Sequence, residues 1–146
     1  MSNVLNPVEL TSALIKCRSI TPTSAGSIDL IISYLEPMGF TCTKLDFGQG
    51  NEKVENLYAR LGSLEPNICF AGHVDVVPTG DEQGWSIDPF GGEIKKGKIW
   101  GRGAADMKSG IAAFIAAVSE FMETNKNLKD YGLSLIHISE PTRRLR

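Results

Sequence analysis

Residues 67–72 (Asn-Ile-Cys-Phe-Ala-Gly) form a short, apolar, β-favouring run that ends in His73-Val74-Asp75. A run apolar on both faces suits a central strand, and a central strand needs sheet on both sides and helices to cover it. In open α/β sheets, ligands bind at the carboxyl ends of the strands. That places a histidine and a carboxylate where such a sheet opens to solvent. The rest of the chain, up to about Gly132, reads as scaffold for that edge.

The flanking segments agree with an α/β pattern. Asn6-Pro7-Val8-Glu9 has a capping side chain, a proline suited to the first helical position and an acidic first turn. Ile28, Ile31, Ile32, Leu35 and Met38 recur at helical spacing and predict a helix over 27–38, closed by Gly39. Strands are expected over 41–47 and 56–61, and a hairpin over 92–100 turning at Lys96-Gly97. The small-residue turn 101–110 leads into a third helix with Ile111, Phe114, Ile115, Val118 and Met122 on one face. No internal repeat or low-complexity segment interrupts this order.

Composition narrows the classes. A chain of 146 residues, 42% hydrophobic and 22% charged, has room for one globular domain. A net charge of -2 gives no electrostatic reason to expect nucleic acid or an anionic membrane as partner. The start, Met1 to Asn6, lacks the basic and apolar regions of a signal peptide. Ile111 to Val118, the longest apolar run, is too short to span a bilayer. Cys17, Cys42 and Cys69 have no paired spacing and are expected as reduced core or near-core thiols of a cytoplasmic protein.

Two places can carry chemistry. In extended chain, His73 and Asp75 point the same way. A neutral imidazole is a common zinc ligand, and a carboxylate behind it can fix its orientation. The same pair can equally be a histidine satisfied by a local carboxylate. Asp106 lies in the turn before the third helix, where Gly101 and Gly103 let the backbone approach a ligand. It can bind metal there, or simply cap the helix. Asp81 and Glu82 read as a solvated loop, and Trp85 and Trp100 as packing residues. No nucleophile-elbow or Walker pattern is present.

The ordered set F-A-G-H-V-D-V-V-P (70–78), W-x-x-D-P-F (85–90) and I-W-G-R-G-A-A-D-M-K (99–108), with S-I-T-P (19–22) before it, resembles the M20 family of metal-dependent amidohydrolases and peptidases. The resemblance implies the N-terminal part of a zinc-peptidase-like catalytic domain over 1–132, a mixed sheet flanked by helices. It implies a site with two Zn²⁺ ions, for which Co²⁺ can substitute. His73 would bind one ion, Asp106 would bridge both, and Asp75 would be the catalytic-site carboxylate holding His73. The peptide after Asp106 would be cis. Within the family, the motifs are nearest to members that hydrolyse N-succinyl-LL-2,6-diaminopimelate to succinate and LL-2,6-diaminopimelate, in lysine synthesis. Alternatives are another deacylase of the acetylornithine type, a carboxypeptidase, or a truncated non-catalytic module. Implied partners are a small succinylated amino acid and a second subunit, docked through a domain absent from this sequence.

Tyr131-Gly132-Leu133-Ser134-Leu135 begins the right kind of strand after the third helix, and the sequence then departs from the family. There the family carries T-x-D-E-E, whose glutamates supply the general base and a zinc ligand. Here Glu140 falls on the aspartate, and Pro141-Thr142 on the glutamate pair. Residues 133–146 resemble the translation of a transposon-end sequencing adapter. They are expected to be a non-native tail, in which His137 and Glu140 carry no function. The rival reading makes His137 a metal ligand. On either reading, the segment by itself is expected to be inactive.

Overall fold

The computed structural model describes residues 4–125 and 131–139. Helix α1 (Pro7–Lys16) starts as expected: Asn6 Oδ1 accepts the Val8 N–H at 2.9 Å. Leu10, Leu14 and Ile15 of α1 are buried. Helix α2 (Ser27–Leu35) buries Ile28, Ile31 and Leu35. The apolar stripe runs on to Met38, but the last turn, Glu36–Met38, is 3-10. Pro37 lacks the N–H that another α turn would use. Gly39, at φ 90°, then reverses the chain.

The strands are β1 (Thr41–Phe47), β2 (Val54–Leu61), β3 (Asn67–Gly72), the hairpin pair β4 (Glu93–Lys95) and β5 (Lys98–Trp100), and, after helix α3 (Ser109–Thr124), β6 (Gly132–His137). Four of them form one mixed sheet in the order β1-β2-β6-β3. β2 is antiparallel to β1 and β6, and β3 is parallel to β6. The β4–β5 hairpin stands apart, its turn made by Lys96 and Gly97 at φ 52° and 70°.

The run ahead of His73 is therefore not central. Among the described residues β3 is an edge strand, with Ile68 57% exposed. Apolar composition marks a strand but does not order it within a sheet. The central place is taken by β6, within the segment set apart as a tail. Leu133, Leu135 and His137 are buried, and so is Ser134 between the leucines. A slot between two strands asks for two rows of backbone hydrogen bonds and apolar side chains on the core face, and this peptide supplies both.

Ala59, Leu135 and Phe70 register as one row across β2, β6 and β3; Leu57, His137 and Gly72 form the next. Helices α2 and α3 pack on the sheet and α1 packs on α3, with Leu14, Ile31, Ile111 and Ile115 in one core. Phe114 stacks on Phe70 with centroids 4.9 Å apart. Gly72 allows α3 to begin directly over the strand end: a Cβ there would lie 3.1 Å from Met107 Cε and 3.2 Å from Ile111 Cγ1. That approach brings the turn carrying Asp106 beside His73.

The cysteines are all free, as expected, but only Cys17 and Cys42 are half-buried; Cys69, on the edge strand, is exposed. Trp100 is 44% exposed rather than packed, because a two-stranded hairpin offers little to cover it.

His137 is 2% exposed and its Nδ1 accepts the Val74 N–H at 3.2 Å. Burial lowers its pKa, with Asp75 opposing and His73 adding to the shift. Below an unfolded pKa of about 6.5 the unfolded chain then binds more protons than the folded one, so stability falls as pH falls. The urea midpoint is expected to drop between about pH 7 and about pH 5, and to drop less in His137→Gln, which keeps an acceptor for Val74. An equal drop in both proteins would show that acid sensitivity arises elsewhere.

Candidate metal centre

His73 is the first residue beyond β3, and its imidazole is held from one side by Asp75. His73 Nδ1 lies 3.0 Å from the Asp75 main-chain oxygen. A carbonyl only accepts, so Nδ1 carries the hydrogen. The Asp75 carboxylate is further away, with Oδ1 3.6 Å from Nδ1. The chain turns after His73, and the contact within hydrogen-bond distance is the Asp75 carbonyl rather than its side chain.

On the other side, His73 Nε2 lies 3.1 Å from Asp106 Oδ1. Asp106 does not cap α3. It sits in a wide turn, Ala104–Lys108, at φ -124° and ψ 98°, and its peptide bond to Met107 is cis. Its side chain is 87% exposed, so the carboxylate is presented to the cleft rather than spent on the helix. Gly103 makes the turn possible: it has φ 80°, and a Cβ there would meet Val76 Cγ1 at 2.7 Å.

With Nδ1 protonated, Nε2 and Asp106 Oδ1 are both acceptors. Two acceptors this close need a cation with them, either a proton or a metal ion. Imidazole nitrogen and carboxylate oxygen are a donor set that suits zinc. Among the described residues no group of three or more His, Cys, Asp or Glu side chains is placed to hold a metal. The pair therefore fits part of a metal site. His137 does not join it; its Nδ1 is occupied by Val74. Glu140, Pro141 and Thr142, opposite the family's acidic run, lie outside the described residues.

The cleft around the pair is lined by Thr21, His73, Asp75, Arg102, Gly103 and Asp106, among others. Arg102 lies over the Trp85 ring, 5.1 Å from its centroid, and Trp85 Nε1 donates to Thr79 O at 3.1 Å. Asp81 and Glu82 stay in the loop: Asp81 Oδ1 accepts the Gln83 N–H, and Glu82 pairs with Arg18.

Two contributors fall inside the quoted motifs, but the sequence assigned neither of them a role. Thr21 Oγ1 donates to Asp75 Oδ2 at 2.7 Å. Lys108 is fully buried, and its Nζ donates to Leu14 O at 2.8 Å and Cys17 O at 2.9 Å. Burial pushes the Lys108 pKa down to about 8, against the opposing pull of Cys17 and Asp75. Lys108 so ties the Asp106 turn to the end of α1. Lys108→Met keeps the volume but strips two buried carbonyls of their donor, which costs about 1–3 kcal/mol. A denaturation midpoint unchanged from wild type would contradict that.

A family model described as peptidase family M20/M25/M40 matches residues 69–140. Succinyl-diaminopimelate desuccinylase of Rhodospirillum centenum is 59% identical over 121 residues, 82% of this chain and 31% of that protein. The desuccinylase of Caulobacter vibrioides is 54% identical over 115 residues, 79% of this chain and 29% of that one. The chain thus spans about a third of the length of these relatives. Among solved structures, human carnosine dipeptidase 1 superposes with a TM-score of 0.73 at 26% identity, over 90% of this chain and 31% of that one. The M20 metallo-carboxypeptidase Sso-CP2 of Sulfolobus solfataricus gives a TM-score of 0.73 at 20% identity, over 94% of this chain and 31% of its own, a likeness of fold. The mixed sheet, the ordered motifs and the identity to these relatives agree, and the chain belongs to the M20 metallopeptidase family.

Proposed function

We propose that this chain carries part of a two-zinc site for hydrolysing the succinyl amide of N-succinyl-LL-2,6-diaminopimelate to succinate and LL-2,6-diaminopimelate. The observation that carries the reading is the His73 Nε2 and Asp106 Oδ1 pair, 3.1 Å apart at the carboxyl end of β3. The identity to desuccinylases supports the choice of substrate. Zinc, or cobalt in its place, polarises an amide carbonyl and acidifies a water molecule when bound. His73 offers Nε2 to the metal because the Asp75 carbonyl holds the hydrogen on Nδ1. Asp75 stands behind the ring with its carboxylate, and Asp106 would be the carboxylate shared by the two ions.

Among the described residues, His73, Asp75 and Asp106 are the only His or carboxylate side chains that line the cleft, and each already has a role in holding the metal. On this reading the chain does not turn over by itself. It acts within a longer, cytoplasmic, homodimeric enzyme of lysine synthesis that uses a small succinylated amino acid. No described helix is long and apolar enough to cross a membrane. Residues 133–146 are then an adapter-like addition, with a foreign peptide filling the β6 slot. Resequencing the source DNA across codons 126–146 without a transposon adapter is expected to return T-x-D-E-E. Recovery of the Ile136–Arg143 codons would refute the foreign origin.

Human carnosine dipeptidase 1 shares the fold, which makes peptide hydrolysis the rival activity. Calorimetry is expected to show zinc binding by this chain, weak because two protein ligands hold zinc poorly, and lost in His73→Ala. Binding unchanged in His73→Ala would sink the metal assignment. For substrate, the full-length gene product is expected to favour succinyl-diaminopimelate over acetylated or dipeptide substrates; the reverse order would favour the peptidase reading.

A further inference from the structure

We propose that Thr21 is a positioning residue for the metal pair, acting through the Asp75 carboxylate. The inference rests on the metal reading of His73 and Asp106 for its consequence, but not for its geometry.

The segment after α1 runs alongside the chain after β3 as a strap. Ser19 Oγ donates to Val74 O at 2.6 Å, and Val76 N–H donates to Ser19 O at 2.8 Å. Thr21 N–H then donates to Val76 O at 3.1 Å, and Ile20 and Val76 form a parallel bridge. Ser19 is fully buried. These bonds fix the Thr21 backbone relative to Asp75 before its side chain is considered.

The Thr21 hydroxyl adds the orienting contact. It donates to Asp75 Oδ2 at 2.7 Å, and this fixes the rotation of the carboxylate. Asp75 Oδ1 is then held 3.6 Å from His73 Nδ1, buried and without any hydrogen-bond partner of its own. An unpartnered buried carboxylate oxygen is costly, and the imidazole is the group paired with it at 3.6 Å, while Lys108 and His137 also feel the Asp75 charge. Its negative charge favours hydrogen on Nδ1 and so leaves Nε2 bare toward Asp106. Without the hydroxyl, the carboxylate is free to turn away, and the Nδ1 hydrogen depends on the Asp75 carbonyl alone.

The strap also shares its anchor with the opposite ligand. It leaves α1 at Cys17, whose carbonyl accepts from Lys108, two residues after Asp106. Residues 14–21 thus touch both sides of the pair, through Lys108 on one and Thr21 on the other.

The test compares Thr21→Val, which keeps shape and removes the donor, with Thr21→Ser, which restores it. In the metal-free 146-residue chain the His73 ring nitrogens are read by ¹⁵N NMR. Wild type and Thr21→Ser are expected to show an Nδ1–H held against exchange with water, and Thr21→Val an Nδ1–H that exchanges at least several-fold faster. In a zinc titration Thr21→Val is expected to bind about tenfold more weakly, the size typical of losing a residue behind a ligand, with Thr21→Ser near wild type. Thermal melts within a few degrees of each other separate positioning from folding. A Thr21→Val chain with the wild-type ring pattern, or with undiminished zinc affinity, overturns the proposal. If wild type binds no zinc while Thr21→Val still alters the ring, the metal reading fails and the positioning role stands.

Discussion

The hydrogen bond from His73 Nδ1 to the Asp75 carbonyl decides what the rest of this end of the sheet can do. It spends one ring nitrogen and leaves the other bare, facing a carboxylate. An imidazole with the opposite tautomer would donate to Asp106 and close the pair as an ordinary hydrogen bond. With this tautomer the pair is left needing a cation, and the proposed metal site rests on that one local choice.

Everything around the pair limits its freedom to relax. The turn after β3 cannot move, because the Ser19–Thr21 strap is bonded to it. The turn bearing Asp106 cannot lift, because Lys108 is sunk under it and bonded to two carbonyls at the end of α1. Gly72 and Gly103 remove the side chains that would hold the two turns apart. Rigid neighbours are what allow a half-exposed histidine and a largely exposed aspartate to keep a fixed separation. The cleft is a product of packing first and of ligand chemistry second.

Much of this was readable from residues acting locally. The Asn6-Pro7 helix start, the Gly39 stop and the Lys96-Gly97 turn follow from side chains that act on their own backbone, and all appear where expected. The pairing of His73 with Asp106 followed from the family motifs, since spacing alone left capping open. Strand order was not readable. β3 has the composition of a central strand and lies at an edge among the described residues, while Gly132–His137, legible as a strand only at its start, lies in the middle. Thr21 and Lys108 stood within the motifs, but their roles were missed for a related reason. Their bonds reach across 54 and 91 residues and leave no periodicity behind. Long-range polar contacts become visible only when the fold brings their partners together.

The central claim is that the bare Nε2 of His73 and the Asp106 carboxylate together form a place for a metal ion. The most direct measurement is diffraction from crystals of the chain soaked in zinc, with data collected at the zinc absorption edge. The account predicts an anomalous peak between His73 Nε2 and Asp106, with Nδ1 still against the Asp75 carbonyl. A peak elsewhere with none at this pair, or a His73 ring turned so that Nε2 meets Asp75, would contradict it.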